Sequence, residues 1–220
     1  MLTIQNLTLR TKEKTLFKGF NFAAQKGQTV WLKGKNGTGK TSLVKTIAGI
    51  GELEINSDAK IIWNEAEIQN LPAHERSKLG IFLVHQSPIE IKGLSLLELL
   101  KESCKIHWGA EYNSKLFLER LEVELKKINW SKEIIKRDLN YNLSGGEKKK
   151  SELLQMLMLR PKLLLIDEID SGLDQTTQNL FANILNQYKL ENPETIIILI
   201  THDDKPLINV EIELGLGFKS

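Results

Sequence analysis

Apolar residues at Leu2, Ile4, Leu7 and Leu9, with polar residues between several of them, predict a first strand. Leu16 to Phe22 predicts a second, joined to the first by the charged turn Lys12 to Lys14. After the QKGQ turn, Thr29 to Lys33 predicts a strand, a glycine-rich loop follows, and a helix is expected from about Thr41 to Ala48. Ile61 to Trp63 and Gly80 to Val84 predict further strands. From about Ser95 to Ile128 the period lengthens: Leu97, Leu100 and Cys104, then Leu116, Leu118, Leu121 and Leu125, recur at helical spacing and predict an inserted group of short helices. A helix is predicted from about Ser144 to Leu159, stopped by Pro161, and another from Gln175 to Tyr188. Leu163 to Ile166 and Ile196 to Ile200 are wholly apolar, as a strand covered on both faces must be. Strands alternating with helices predict a mainly parallel α/β core.

Gly34-Lys35-Asn36-Gly37-Thr38-Gly39-Lys40-Thr41 sits between a predicted strand and a predicted helix, and fits GxxxxGK[ST] without a gap. Glycines let such a loop wrap phosphate oxygens with main-chain N–H groups, and the helix N-terminus adds a favourable field for an anion. Lys40 is expected to reach the β- and γ-phosphates of a nucleotide, with the Thr41 hydroxyl on Mg²⁺. Asp167, at the end of the buried Leu163–Ile166 run, supplies the second acid such a magnesium site needs, and Glu168 beside it is placed to polarise an attacking water. Ser144 with Glu147 three residues on reads as a helix capping box. An isolated Asp167-Glu168 pair would read as a helix-capping or loop acid, and His202, taken alone, reads as a polar residue at a strand end.

Composition narrows the classes. Thirty basic against 28 acidic residues leave a net charge of +2, which excludes a nucleic-acid-binding arm or a polybasic anchor as the dominant feature. One cysteine, Cys104, excludes an internal disulfide and a zinc-finger framework. Its spacing to His107 reads as packing on the helical insertion rather than a ligand pair. The start MLTIQNLTLRTKEK carries no apolar secretory region, and no apolar run approaches the ~20 residues that cross a bilayer, so a soluble, cytoplasmic protein is expected. Lys148 to Lys150 read as a solvated helix face, and Trp31 as a core residue.

The order of phosphate loop, Gln86, Leu143-Ser144-Gly145-Gly146-Glu147, Asp167-Glu168, Ser171-Gly172-Leu173-Asp174 and His202 resembles the ATP-binding-cassette ATPases over nearly the whole chain. The resemblance implies a P-loop NTPase cassette core over residues 1–220, with an N-terminal antiparallel β subdomain and a helical subdomain at about 87–142. It implies ATP and Mg²⁺ as cofactors, held by Gly34, Asn36, Gly37, Gly39, Lys40, Thr41 and Ser42, with Asp167, Thr41 and Gln86 around the metal. Glu168, His202 and Gln86 would serve catalysis. Ser144, Gly145 and Gly146 would contact the γ-phosphate bound to a second copy of the chain, and Asp174 would communicate across that interface. Within the family, GGEKK, the E-x-LQM helix, DE-x-DSGLD and P-x-EI-x-G resemble the SufC-type iron–sulfur cluster assembly branch. That branch implies a soluble scaffold of SufB and SufD type as partner, and the rival within the family is a membrane permease. Ile169 and Lys150 depart from that branch, and no aromatic residue lies near Arg10 or Thr11, where many cassettes stack one on adenine.

Overall fold

The computed structural model describes residues 1–51, 53–168, 172–201, 206 and 208–216. In chain order the strands and helices are β1 Leu2–Arg10, β2 Thr15–Ala24, β3 Thr29–Lys33, α1 Lys40–Ala48, β4 Glu54–Ile55, β5 Lys60–Trp63, β6 Ala66–Glu67, α2 Ala73–Lys78, β7 Ile81–Val84 and β8 Ile91–Ser95. They continue as α3 Leu96–Trp108, α4 Ser114–Lys127, β9 Asp138–Leu139, α5 Gly145–Leu159, β10 Leu163–Asp167, α6 Gln175–Glu191, β11 Ile196–Ile200 and β12 Ile212–Gly215.

The first hairpin opens an antiparallel sheet of order β2-β1-β5-β6, with β4 also on β1. Strict alternation would turn Leu7 and Leu9 away from the face that Leu2 and Ile4 bury. The register against β2 shifts between Ile4 and Leu7, and Asn6 takes φ 50°, so all four leucine and isoleucine side chains are buried. The second sheet, β12-β3-β11-β10-β7, is parallel throughout, as the sequence predicts. Its wholly apolar strands divide their side chains between two cores. Leu163, Leu165, Ile196, Ile198 and Ile200 pack with α1 and the antiparallel sheet. Leu164, Ile166, Ile197 and Leu199 pack with α5, α6 and the helices of the insertion. Trp31 joins the latter core, as expected.

The predicted insertion is the pair α3 and α4. Ser95 caps α3: its hydroxyl accepts the Glu98 N–H at 3.2 Å, while the Glu98 carboxylate accepts the Ser95 N–H at 3.1 Å. Ser95→Ala removes the hydroxyl that accepts the Glu98 N–H, leaves the main-chain half of the exchange, and is expected to lower unfolding stability by about 0.5–2 kcal/mol. A denaturant midpoint equal to that of the parent chain would show the cap to be energetically silent. Cys104 and His107 do not converge. Cys104 is buried, its thiol pushed up to about 12 by burial, and His107 Nε2 lies 3.3 Å from Ser77 Oγ. Among the described residues no helix is long and apolar enough to cross a membrane.

Candidate active site

Three parallel strands end at one place. β3 runs into the phosphate loop, β7 into His85 and Gln86, and β10 into Asp167 and Glu168. Parallel neighbours present all these C-terminal ends on one edge, where an open α/β sheet binds ligands. A cleft of about 420 Å³ lies there, lined by Asn36, Gly37, Gly39, Lys40, Thr41, Ser42, Gln86 and Glu168, with Thr11, Lys14 and Leu16 from the first hairpin. Ten sequence-predicted positions thus meet or border one cavity, once Gly34 and Asp167 are added through their bonds to Lys40 and Thr41.

The loop geometry follows from its glycines. Gly39 caps α1 with φ 94°, and a Cβ there would stand 3.0 Å from the Phe17 ring, so the position admits only glycine without rearrangement. The Lys40 ammonium is turned back over the loop, donating to the carbonyls of Gly34 at 2.7 Å and Lys35 at 3.3 Å. Lys14 donates to the Gly37 carbonyl at 3.3 Å and closes the loop from the hairpin side. Among the described residues no aromatic ring lines this cleft, and Leu16 is its apolar side chain.

Asp167 is buried and accepts the Thr41 hydroxyl at 2.9 Å. Burial raises its pKa above the ordinary range; the Thr41 bond opposes the shift and the Glu168 charge adds to it. Glu168 is also buried, with φ 53°, and its N–H donates to the Ile200 carbonyl at 3.1 Å. The Gln86 side-chain amide donates to its carboxylate. Gln86 is therefore engaged with Glu168.

The remaining predicted residues lie elsewhere. Ser144 caps α5 in the expected box: its hydroxyl accepts the Glu147 N–H at 3.3 Å, and its own N–H and hydroxyl donate to the Glu147 carboxylate at 2.8 and 2.7 Å. Gly145 and Gly146 begin the helix, and Gly146 lies against Leu173, next to Asp174. Asp174 caps α6, accepting the N–H and the hydroxyl of Thr177. None of these four lines the phosphate-loop cleft. His202 and residues 169–171 lie outside the described residues.

A model of the ABC transporter family matches residues 17–171. The chain belongs to the ABC transporter ATPase family. This ATPase is 36% identical over 206 residues to a probable ATP-dependent transporter of Synechocystis sp., covering 92% of this chain and 79% of that protein. It is 35% identical over 199 residues to the iron–sulfur cluster assembly protein SufC of Plasmodium falciparum, covering 89% of this chain and 56% of that one. Its fold is that of the dimeric ABC transporter cassette MJ0796, with a TM-score of 0.77 at 21% identity over 92% of this chain and 88% of that one. As a member of the family the chain is an ATP hydrolase.

Two residues of the ATPase were hidden from the sequence reading. Lys149, placed on a solvated face with its neighbours, is instead 5% exposed, and its ammonium donates to the Glu168 carbonyl at 2.9 Å. Lys148 does face outward, paired with Glu90 at 2.6 Å. Glu152, one turn beyond Lys149, is 6% exposed and accepts the His85 N–H at 2.9 Å. The helical repeat offered a signal: stepping back from buried Met156 and Leu153 by threes and fours reaches Glu152 and Lys149.

Burial pushes the Glu152 carboxyl up from 4.5 to about 7, against the lowering effect of the His85 N–H. Its folded pKa thus exceeds its unfolded one, so between those values the folded chain holds a proton that the unfolded chain releases. Over that window this group makes stability fall as pH rises. Glu152→Gln is expected to flatten that slope in denaturant titrations run between pH 4.5 and 7. An unchanged slope would mean that Glu152 is already ionised in the folded chain.

Proposed function

We propose that this ATPase is the energy-supplying subunit of an iron–sulfur cluster assembly complex, acting in the cytoplasm on a soluble scaffold of SufB and SufD type. The observation that carries the reading is α5, Gly145–Leu159. Its GGEKKKSELLQM sequence is of the SufC type, and the two charges that distinguish it, Lys149 and Glu152, are buried against the active-site strands rather than displayed to solvent. The 35% identity to SufC of Plasmodium falciparum supports the same assignment.

The site divides its tasks by chemistry. Gly34, Asn36, Gly37, Gly39, Lys40, Thr41 and Ser42 hold the phosphates of ATP, the main chain and Lys40 supplying positive potential. Thr41 and Asp167 present a hydroxyl and a buried carboxylate 2.9 Å apart, an oxygen-only pair that suits Mg²⁺. Mg²⁺, when bound, neutralises charge on the β- and γ-phosphates; Gln86 stands at the edge of the same cleft as a third polar neighbour. Glu168 orients the attacking water and takes its proton, and Gln86 holds Glu168 in place. Ser144, Gly145, Gly146 and Asp174, remote from their own chain's cleft, act on the nucleotide of a second copy closing head to tail. His202 is assigned to the γ-phosphate. Residues 1–220 form one cassette domain in this reading, with 87–142 as its helical subdomain.

The second reading is the ATP-binding subunit of a membrane transporter, favoured by relatives such as a probable ABC transporter ATP-binding protein of Streptococcus pyogenes, 33% identical over 204 residues. Mild affinity purification of the tagged chain from its own cells, with mass spectrometry of what stays bound, separates the two. Soluble SufB-like and SufD-like chains that also stimulate ATP hydrolysis support the scaffold. Co-purifying permease subunits overturn it.

A further inference from the structure

Glu152 lies outside the phosphate loop, Gln86, the Ser144–Glu147 box and the Asp167–Glu168 pair, and no role in the reaction has so far fallen to it, yet it is buried beside the site. A carboxyl taken from water into a packed interior is costly unless its oxygens find donors. Its Oε2 finds the main-chain N–H of His85, at 2.9 Å. His85 directly follows β7 and directly precedes Gln86. The Gln86 amide in turn donates to Glu168. The same helix face sends Lys149 to the Glu168 carbonyl at 2.9 Å. One helix therefore grips both strand ends of the site, β7 through a carboxyl and β10 through an ammonium, and it begins at the exposed Ser144 cap and Gly145.

We infer that Glu152 is a positioning residue for ATP hydrolysis: by holding the His85 N–H it sets where Gln86 meets Glu168, and it passes shifts of α5 to that pair. The inference rests on the assignment of Gln86 and Glu168 to the hydrolytic step. It places no demand on ATP binding, because Glu152 does not line the phosphate-loop cleft. A merely structural Glu152 would satisfy the same N–H, but its loss would then act whether or not Gln86 were present.

The test is a double-mutant cycle on the full chain, reading kcat and KM for ATP in Glu152→Met, Gln86→Ala and the combination, with Glu152→Gln as rescue. Glu152→Met is expected to lower kcat about tenfold or more with KM within about twofold, the pattern of an interaction that matters in the transition state alone. Glu152→Gln keeps an acceptor oxygen and should stay within about threefold of the parent. In the Gln86→Ala background, Glu152→Met should add no more than about a twofold loss. Should Glu152→Met not accumulate as folded protein, Glu152→Asp takes its place, since it keeps the charge and withdraws the acceptor by one methylene. The inference is overturned if the replacement costs the same factor in both backgrounds, if kcat is unchanged, or if Glu152→Gln is as impaired as Glu152→Met. If Gln86→Ala alone leaves kcat untouched, the Gln86 assignment fails first and the inference falls with it.

Discussion

Glu168→Gln is expected to bind ATP within about twofold of the parent chain while losing about 10²-fold or more in turnover, the scale of a removed general base. The substitution is nearly isosteric, so the N–H to Ile200 and the carbonyl to Lys149, both main-chain contacts, survive. What disappears is a charge beside Asp167, where the two carboxylates oppose each other. Removing one eases the approach of nucleotide phosphates, so affinity has no reason to fall. Phosphate release measured alongside equilibrium binding of ATP checks both halves. Near-normal turnover would remove Glu168 from its assigned role.

Lys40→Ala is expected to weaken ATP binding by about 10- to 100-fold, the range of one or two charge-assisted hydrogen bonds at about 1.5–3 kcal/mol each. Lys40 is 8% exposed, lines the cleft, and its ammonium donates to two carbonyls of its own loop, bonds that an incoming phosphate can replace. Its loss leaves the loop without its central positive charge. Calorimetric titration with ATP gives the number directly. An unchanged dissociation constant would undermine the assignment of the phosphate loop.

Much of this architecture is written locally. The parallel core is legible because Leu163–Ile166 and Ile196–Ile200 have no polar residue to place on an exposed face. The phosphate loop is legible because its chemistry lies within eight consecutive residues, Gly34 to Thr41. The capping box at Ser144 is legible for the same reason. What escaped depends on contacts far apart in sequence. α2 has six residues, too few to display a period, and Arg76 on it is buried because four carbonyls, of Leu71, Thr46, Ile47 and Gln69, converge on its guanidinium. β12 is recognisable as a strand only through its parallel pairing with β3. Lys149 and Glu152 look solvated in a run of charges, and partners far away in sequence, the strand ends at residues 85 and 168, help make their burial tolerable.

The box that opens α5 has an electrostatic consequence. A helix start is a positive pole of roughly half a unit charge, open to any anion. Here the pole is already tenanted: the Glu147 carboxylate sits on the Ser144 N–H and hydroxyl, and those bonds hold its pKa below the ordinary carboxylate range. On the proposed head-to-tail closure, a phosphate arriving at Ser144 would not fill a vacant pole but would contend with this resident anion. The net attraction is then a small difference between two large ones, and when the incoming anion departs its rival is already at hand to reclaim the helix end. Such an end is suited to contacts that must form and release in every cycle rather than to permanent capture.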